Sequence, residues 1–231
     1  MIASVLSVNL GRAAVDRGKP VNLTGIDKRP VASAVVAAPG PRKLTRSLAP
    51  EDRGGLAGDF IGDGRHHGGD AQAVYACARE DLDHLGALVG REFADGSFGE
   101  NLTTGGVDVT GALIGERWRI GTGADAVELR VTCPRIPCNT FRAWIDERGW
   151  LKTFTRAARP GAYLSVVKPG VIRRGDPVEV TFRPPHEVTI GVLFRSQTLE
   201  RELAPLVLTA VDYLEAESAE YARRGAVFSI G

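Results

Sequence analysis

The chain has 231 residues, 43% of them hydrophobic and 25% charged, which is ordinary globular composition with ample length for a real core. A formal net charge of +1 gives no global electrostatic case for nucleic acid or an anionic membrane, so any anion must be held by a local cluster of charge. Three cysteines at irregular positions make no disulfide framework and point to a reducing cytosol.

In chain order, the run from Met1 to Val8 lacks a basic leader and a small-residue cleavage pattern, and reads as a first strand, not a signal peptide. No stretch approaches the roughly 20 apolar residues that a membrane helix needs. Short runs rich in Val, Ile and Leu, parted by Gly, Pro and Asp, predict strands over 2–10, 31–38, 107–109, 117–120, 127–132, 163–167 and 178–182. The polar stretch 38–55 reads as a long surface excursion. A helix is predicted over 73–89, with Val74, Cys77, Leu82 and Leu85 at helical spacing and Gly90 ending it. Cys77 then lies on its apolar stripe as core filler. A second helical stretch covers 141–158 and is broken at Gly149. Gly170 and Gly175-Asp176-Pro177 give the last two strands a hairpin-like spacing. Beyond the Pro184-Pro185 hinge, residues 195–224 are helix formers with no glycine until Gly225. The expected fold is mainly β (α+β): a closed or partly open β-barrel over 1–185 with a few helices, then a small helical domain over 186–231.

Four clusters carry chemistry. In Gly25-Ile26-Asp27-Lys28-Arg29-Pro30-Val31, two adjacent cations enter a strand. In Gly62-Asp63-Gly64-Arg65-His66-His67-Gly68-Gly69-Asp70, half of the four histidines sit among glycines that permit close backbone approach to a ligand, as in an anion-binding turn before a helix. The loop Phe98-Gly99-Glu100-Asn101-Leu102-Thr103-Thr104 offers neutral donors and acceptors, although turn capping alone accounts for them. The fourth run, Val131-Thr132-Cys133-Pro134-Arg135-Ile136-Pro137-Cys138, ends in a cysteine held between stiffening prolines three residues from a fixed cation. A thiolate is both a nucleophile and a soft metal ligand, and a nearby cation favours it. A lone cysteine is also commonly a small buried hydrophobe.

Other chemistries fit badly. Adjacent histidines and a C-x4-C spacing do not make a zinc site. There is no GxSxG elbow and no Walker loop, and Gly64 to Gly69 is no dinucleotide fingerprint, because its spacing is wrong and no βαβ unit surrounds it. A Cys-His hydrolase built from Cys138 with His66 or His67 has the residue types but no local support.

Taken together and in this order, the clusters resemble the MOSC family, the domain named after the molybdenum cofactor sulfurase C-terminus, and in particular its small stand-alone bacterial members. The resemblance also rests on Gln72-Ala73-Val74-Tyr75, Ile114-Gly115, Ile120-Gly121, Arg159-Pro160-Gly161-Ala162-Tyr163, Gly170 and Gly175-Asp176, and spans about residues 2 to 183. It implies a β-barrel binding the molybdenum cofactor (molybdopterin with Mo), a pyranopterin dithiolene with a terminal phosphate. Cys138 would be the sulfur ligand and catalytic residue, which suits a soft thiolate. Lys28, Arg65, His67 and Gly68 would meet phosphate and pterin through charge-assisted bonds. Asn101 and Thr103 would read the pterin edge, and Arg135 would stabilise the thiolate or dithiolene. Stand-alone relatives reduce N-hydroxylated compounds such as hydroxylaminopurines and amidoximes, a detoxifying activity. The chain has no flavin or iron–sulfur motif, so a separate electron-donor reductase is implied, with a small N-hydroxylated substrate and no nucleic-acid or membrane partner, in the cytoplasm. The alternative is a non-catalytic carrier of the cofactor or of persulfide sulfur on Cys138. Cys133 departs from the family pattern, in which a polar residue is expected.

Overall fold

The computed structural model describes residues 3–42 and 54–228. Most of the surface excursion read over 38–55 therefore lies outside the described residues.

The fold is mixed α+β, built on one large, mostly antiparallel sheet. The first strand, β1 (Ser4–Gly11), alternates buried and half-buried side chains and shifts register between Val5 and Ser7. A short ribbon, β2 (Ala14–Val15) and β3 (Leu23–Thr24), precedes β4 (Lys28–Val31) and β5 (Ser33–Val36). Then come β6 (Val74–Ala78), helix α1 (Arg79–Val89), β7 (Leu102–Gly105), β8 (Arg117–Ile120) and β9 (Val127–Pro134). Helices α2 (Asn139–Ile145) and α3 (Trp150–Ala157) form a hairpin, followed by β10 (Ala162–Lys168), β11 (Gly170–Arg173) and β12 (Val178–Phe182). Helices α4 (Ile190–Thr198), α5 (Ala204–Val207) and α6 (Ala216–Arg224) end the chain, linked by short 3-10 turns.

The eight-stranded sheet runs β12-β8-β9-β10-β6-β7-β1-β4, while β11 pairs with β5 in a separate ribbon. The expected barrel, closed or partly open, is not confirmed: no closed barrel forms, since β4 and β12 remain the ends of this sheet. The outer edge of β1 explains the arrangement. Its second half pairs with β4, and its first half meets the turn before β12, where Val5 N donates to Asp176 O (2.9 Å) and Val178 N to Ala3 O (2.9 Å).

Four sequence expectations change. Residues 74–78 are a strand, so the predicted helix over 73–89 begins only at Arg79. The run VYACA sits mid-sheet with all five residues buried, and such strands read as unbroken apolar runs that imitate a buried helix. Cys77 is still core filler, but from a strand. Strands β6 and β7 are parallel and joined through α1, so a βαβ unit is present after all. Its glycine-rich turn precedes the first strand instead of opening the helix, which is not the dinucleotide arrangement. Residues 107–109 form no strand, whereas the loops at 28–31 and 102–105 do. Finally, β10 and β12 make no hairpin, because β10 pairs with β9 and β6 and β12 pairs with β8. The break inside 141–158 falls where Asp146 and Gly149 adopt φ of 52° and 76°.

Two clusters form the core. The larger joins the strands, through Val8, Leu102, Trp118, Leu129 and Leu164, to Val188, Ile190, Leu193 and Val207 of the terminal helices. The smaller is aromatic, with Phe93, Phe98, Phe141, Trp150, Phe154 and Phe194 in mostly edge-to-face contact. Among the described residues, no helix is long and apolar enough to cross a membrane.

Candidate functional site

A cavity of about 760 Å³ opens where the ends of β4, β6 and β9 meet the terminal helices. That volume is suited to a cofactor-sized ligand. Backbone packs directly on backbone at its base. A side chain at Gly25 would place Cβ 1.8 Å from the Phe60 carbonyl oxygen, and one at Gly62 would come 2.0 Å from that of Leu23.

The floor is a polar knot. Lys28 Nζ lies 2.6 and 2.7 Å from the two carboxylate oxygens of Asp59, in an ion pair whose side chains are only 7% and 2% exposed. Asp59 also accepts from Gly11 N (2.6 Å) and Asn101 Nδ2 (2.9 Å). Asn101 donates further to Asn9 O and accepts from Tyr75 N, so its amide is committed on both sides. The knot ties β1, β4, β6 and the 99–101 loop into one rigid surface. Buried ions persist where each is paired and hydrogen-bonded.

Arg135 makes the opposite wall. It follows Pro134 at the end of β9 and is 6% exposed. Its guanidinium stacks 4.1 Å from the Phe141 ring centre and 5.3 Å from that of Tyr75, and Nη1 donates to Phe98 O (2.5 Å). No carboxylate pairs with it among the described residues, and its buried Nε has no acceptor. Glu100 sets the Phe98 carbonyl by accepting from Gly96 N, Phe98 N and Thr103 Oγ1. Burial raises the Glu100 pKa against those three bonds.

Cys138, a free and part-exposed thiol, begins the turn into α2 on the same wall. Cys133 also lines the cavity, and burial pushes its thiol up to about 12. Tyr163 beside it is likewise held protonated, raised to about 12 by burial although Arg135 opposes the shift. His67 is held neutral, because burial and then Arg135 lower its pKa to about 4. Gln72 faces the cavity, and its buried Oε1 has no partner among the described residues. Gln197, Glu215, Glu217, Ser218 and Phe228, all from the terminal helical segment, complete the wall. Glu217 pairs with Arg42 across the rim (3.3 Å).

The structure thus brings together Lys28, His67, Gly68, Asn101, Arg135 and Cys138. Two of the residues singled out from the sequence stand apart. Arg65 does not line the cavity, since its side chain is clamped on Asp63 at 2.9 and 2.7 Å, and that pairing lowers the Asp63 pKa. Thr103 is wholly buried in β7 with its hydroxyl held between Glu100 and Asn9, so it supports the site from behind.

An electron-rich, sulfur-bound anion fits this set. An unpaired buried guanidinium beside an accessible thiol demands negative charge, and an unsatisfied amide oxygen invites an N–H donor.

Residues 63–179, just over half of the chain, match the MOSC domain. The chain belongs to the MOSC domain family. The family is associated with the molybdenum cofactor. An uncharacterized Bacillus subtilis protein, YflK, is 28% identical over 218 residues, covering 94% of this chain and 88% of that protein. A Gibberella moniliformis protein named as a reductase is 34% identical over 89 residues, covering 38% of this chain and 15% of that protein. The structure of YiiM from Geobacillus stearothermophilus superposes with a TM-score of 0.73 at 23% identity, covering 96% of this chain and 98% of YiiM.

Sequence reasoning missed Asp59 and the residues of the terminal helices, and gave no site role to Gln72 and Tyr163, which it had used only for the family resemblance. Asp59 had one signal, an acid inside the otherwise glycine-rich and apolar Leu56-Ala57-Gly58-Asp59-Phe60. Glu215 and Glu217 had none, because their helix reads as an ordinary solvated face in this MOSC chain.

Proposed function

We propose that this MOSC chain is a molybdenum-cofactor-binding reductase of N-hydroxylated compounds, hydroxylaminopurines and amidoximes among them. One observation supports it above the others: Arg135 is a buried cation with no counter-charge among the described residues, in a cavity shared with the free thiol of Cys138. Cys138 would hold the metal, Arg135 would balance the anionic sulfurs, and His67 and Gln72 would take hydrogen bonds from pterin N–H groups. Neutral His67 accepts such a bond where an imidazolium would repel Arg135. Bound cofactor supplies two-electron redox chemistry. The net change is R–NHOH plus two electrons and two protons to R–NH2 plus water. The terminal helices would act as a small domain over 186–231 that excludes bulk water from the domain over 1–185. Three reduced thiols suit a cytoplasmic protein. The partial match to a protein named as a reductase points the same way.

The test is purification from a host that makes the cofactor, with molybdenum and pterin assayed in wild type and in Cys138→Ala. Turnover is then measured with a chemical reductant and a hydroxylaminopurine. Cofactor retained by wild type alone, with turnover, supports the reading. Equal molybdenum in both proteins overturns it, and bound cofactor without turnover replaces the reductase by a carrier.

A further inference from the structure

The hairpin that begins at Cys138 carries an unbalanced charge on its outer side. Arg142 on α2, Arg148 in the turn, and Lys152 and Arg156 on α3 are all exposed, and none has an ion-pair partner among the described residues. The loop carrying Arg17 and Lys19 packs on the same helix. Arg17 lies 4.6 Å over the Trp144 ring and donates to Trp144 O, while Gly18 approaches Asn139 and Ala143. Hairpin and loop together carry six cations, Lys19 among them at the cavity edge, against three carboxylates, Asp16, Asp146 and Glu147, of which Asp16 is buried on Thr140, in a chain whose total net charge is +1. Elsewhere Arg29, Arg117, Arg119, Arg173, Arg183 and Arg224 are exposed and paired, while the exposed arginines without an ion-pair partner among the described residues, Arg12, Arg91, Arg174, Arg201 and Arg223, are spread over different segments. A cluster left unpaired on one hairpin is a local positive field, which captures an oppositely charged partner by long-range steering.

The face lies next to the proposed site. Lys19, Asn139, Thr140 and Leu151 belong both to this loop-and-hairpin unit and to the cavity lining. The inner side of the hairpin carries Phe141 and Trp150, and Phe141 stacks on Arg135. A protein seated on the outer side is separated from the cavity by one helix, about 10 Å thick.

From this charge and this position we infer that the α2–α3 hairpin, with the Arg17–Lys19 loop, is the docking surface for an acidic electron-transfer protein. The inference rests on the reductase reading, which requires an external donor because the chain's cysteines cannot hold an iron–sulfur cluster. Two reduced donor molecules, docking in turn and each oxidised by one electron, supply the two electrons per N–OH bond reduced, and the two protons come from solvent.

The probe is an acidic plant-type [2Fe–2S] ferredoxin, tested on holoprotein for binding by calorimetry and for donor-driven turnover. The variant is Arg148→Glu/Lys152→Glu/Arg156→Glu, three exposed positions away from the cavity lining. Near-ultraviolet circular dichroism and cofactor content report that it is folded. Wild type is expected to bind with an affinity that falls at least tenfold from about 20 to 200 mM salt, since that range shortens the screening length severalfold. The variant is expected to lose at least tenfold in ferredoxin affinity and ferredoxin-driven rate, yet match wild type with a chemical reductant. Equal ferredoxin binding by both proteins, or binding indifferent to salt, overturns the inference. So does tighter salt-sensitive binding of duplex DNA or anionic vesicles than of ferredoxin. No turnover of wild type with the chemical reductant instead refutes the reductase reading, and the binding measurement still decides the surface.

Discussion

Replacing Arg135 by methionine separates a residue kept for binding from one kept for stability. The change gives up one hydrogen bond to the Phe98 carbonyl, worth about 1.5–3 kcal/mol when charge-assisted. It also gives up stacking on Phe141 and Tyr75, about 2 kcal/mol for a desolvated cation–π contact. Against these, it removes the cost of keeping an unpaired ion out of water, several kcal/mol in real proteins. The opposing contributions nearly cancel, so apoprotein stability should move by less than about 1.5 kcal/mol, or about 5 °C in Tm for a chain of this size. Cofactor binding has no such cancellation. Truncating one partner of a buried charge pair costs at least about 2 kcal/mol and commonly 3, or about 100-fold in affinity. Urea melts of apoprotein and molybdenum-to-protein ratios of holoprotein give the two readouts. A variant destabilised by more than about 3 kcal/mol that still carries wild-type molybdenum would refute the reasoning and make Arg135 a structural residue.

Further predictions concern the residues around it. Asp59→Asn strands the Lys28 ammonium and should cost about 3–5 kcal/mol in a denaturant melt, while adding Lys28→Met should recover at least half. In native protein, iodoacetamide should label Cys138 quickly and leave Cys77 untouched until unfolding, as read by peptide mass spectrometry. Since the His67 pKa falls to about 4 in the folded apoprotein from an ordinary 6.5, the unfolded chain binds more protons between those values. Stability should therefore fall as pH drops from about 6.5 to 4, by up to about 3 kcal/mol, and His67→Gln should flatten that slope in melts across the range.

The outline of the site was legible because chemistry-bearing residues sit in short local runs. Cys138 and Arg135 share one proline-punctuated segment, and His67 and Gly68 share one turn. Their convergence was not legible, since it depends on β6 being a strand in the middle of the sheet. Val74 to Ala78 carries no polar alternation to mark it as one, because both its faces are covered. Asn101 and Thr103 show the opposite problem. Their residue types suit ligand recognition, but the folded chain has already spent their hydrogen bonds on Asp59, Tyr75, Glu100 and Asn9. The terminal helices' share was invisible because it arises from long-range packing, with no local pattern to announce it.

The cavity walls come from residues as far apart as Asp16 and Phe228. During synthesis, Cys138 and Arg135 leave the ribosome long before Glu215, Ser218 and Phe228 exist to face them. Strand β1 likewise waits for residues 175–178 to cover the edge of its first half. Non-local pairing of this kind slows folding and leaves apolar strand surface exposed meanwhile. On the proposed function, cofactor would therefore load only after synthesis of the terminal helices. A chain stalled short of its last helix would present a reactive thiol and a naked guanidinium with nothing to enclose what they bind.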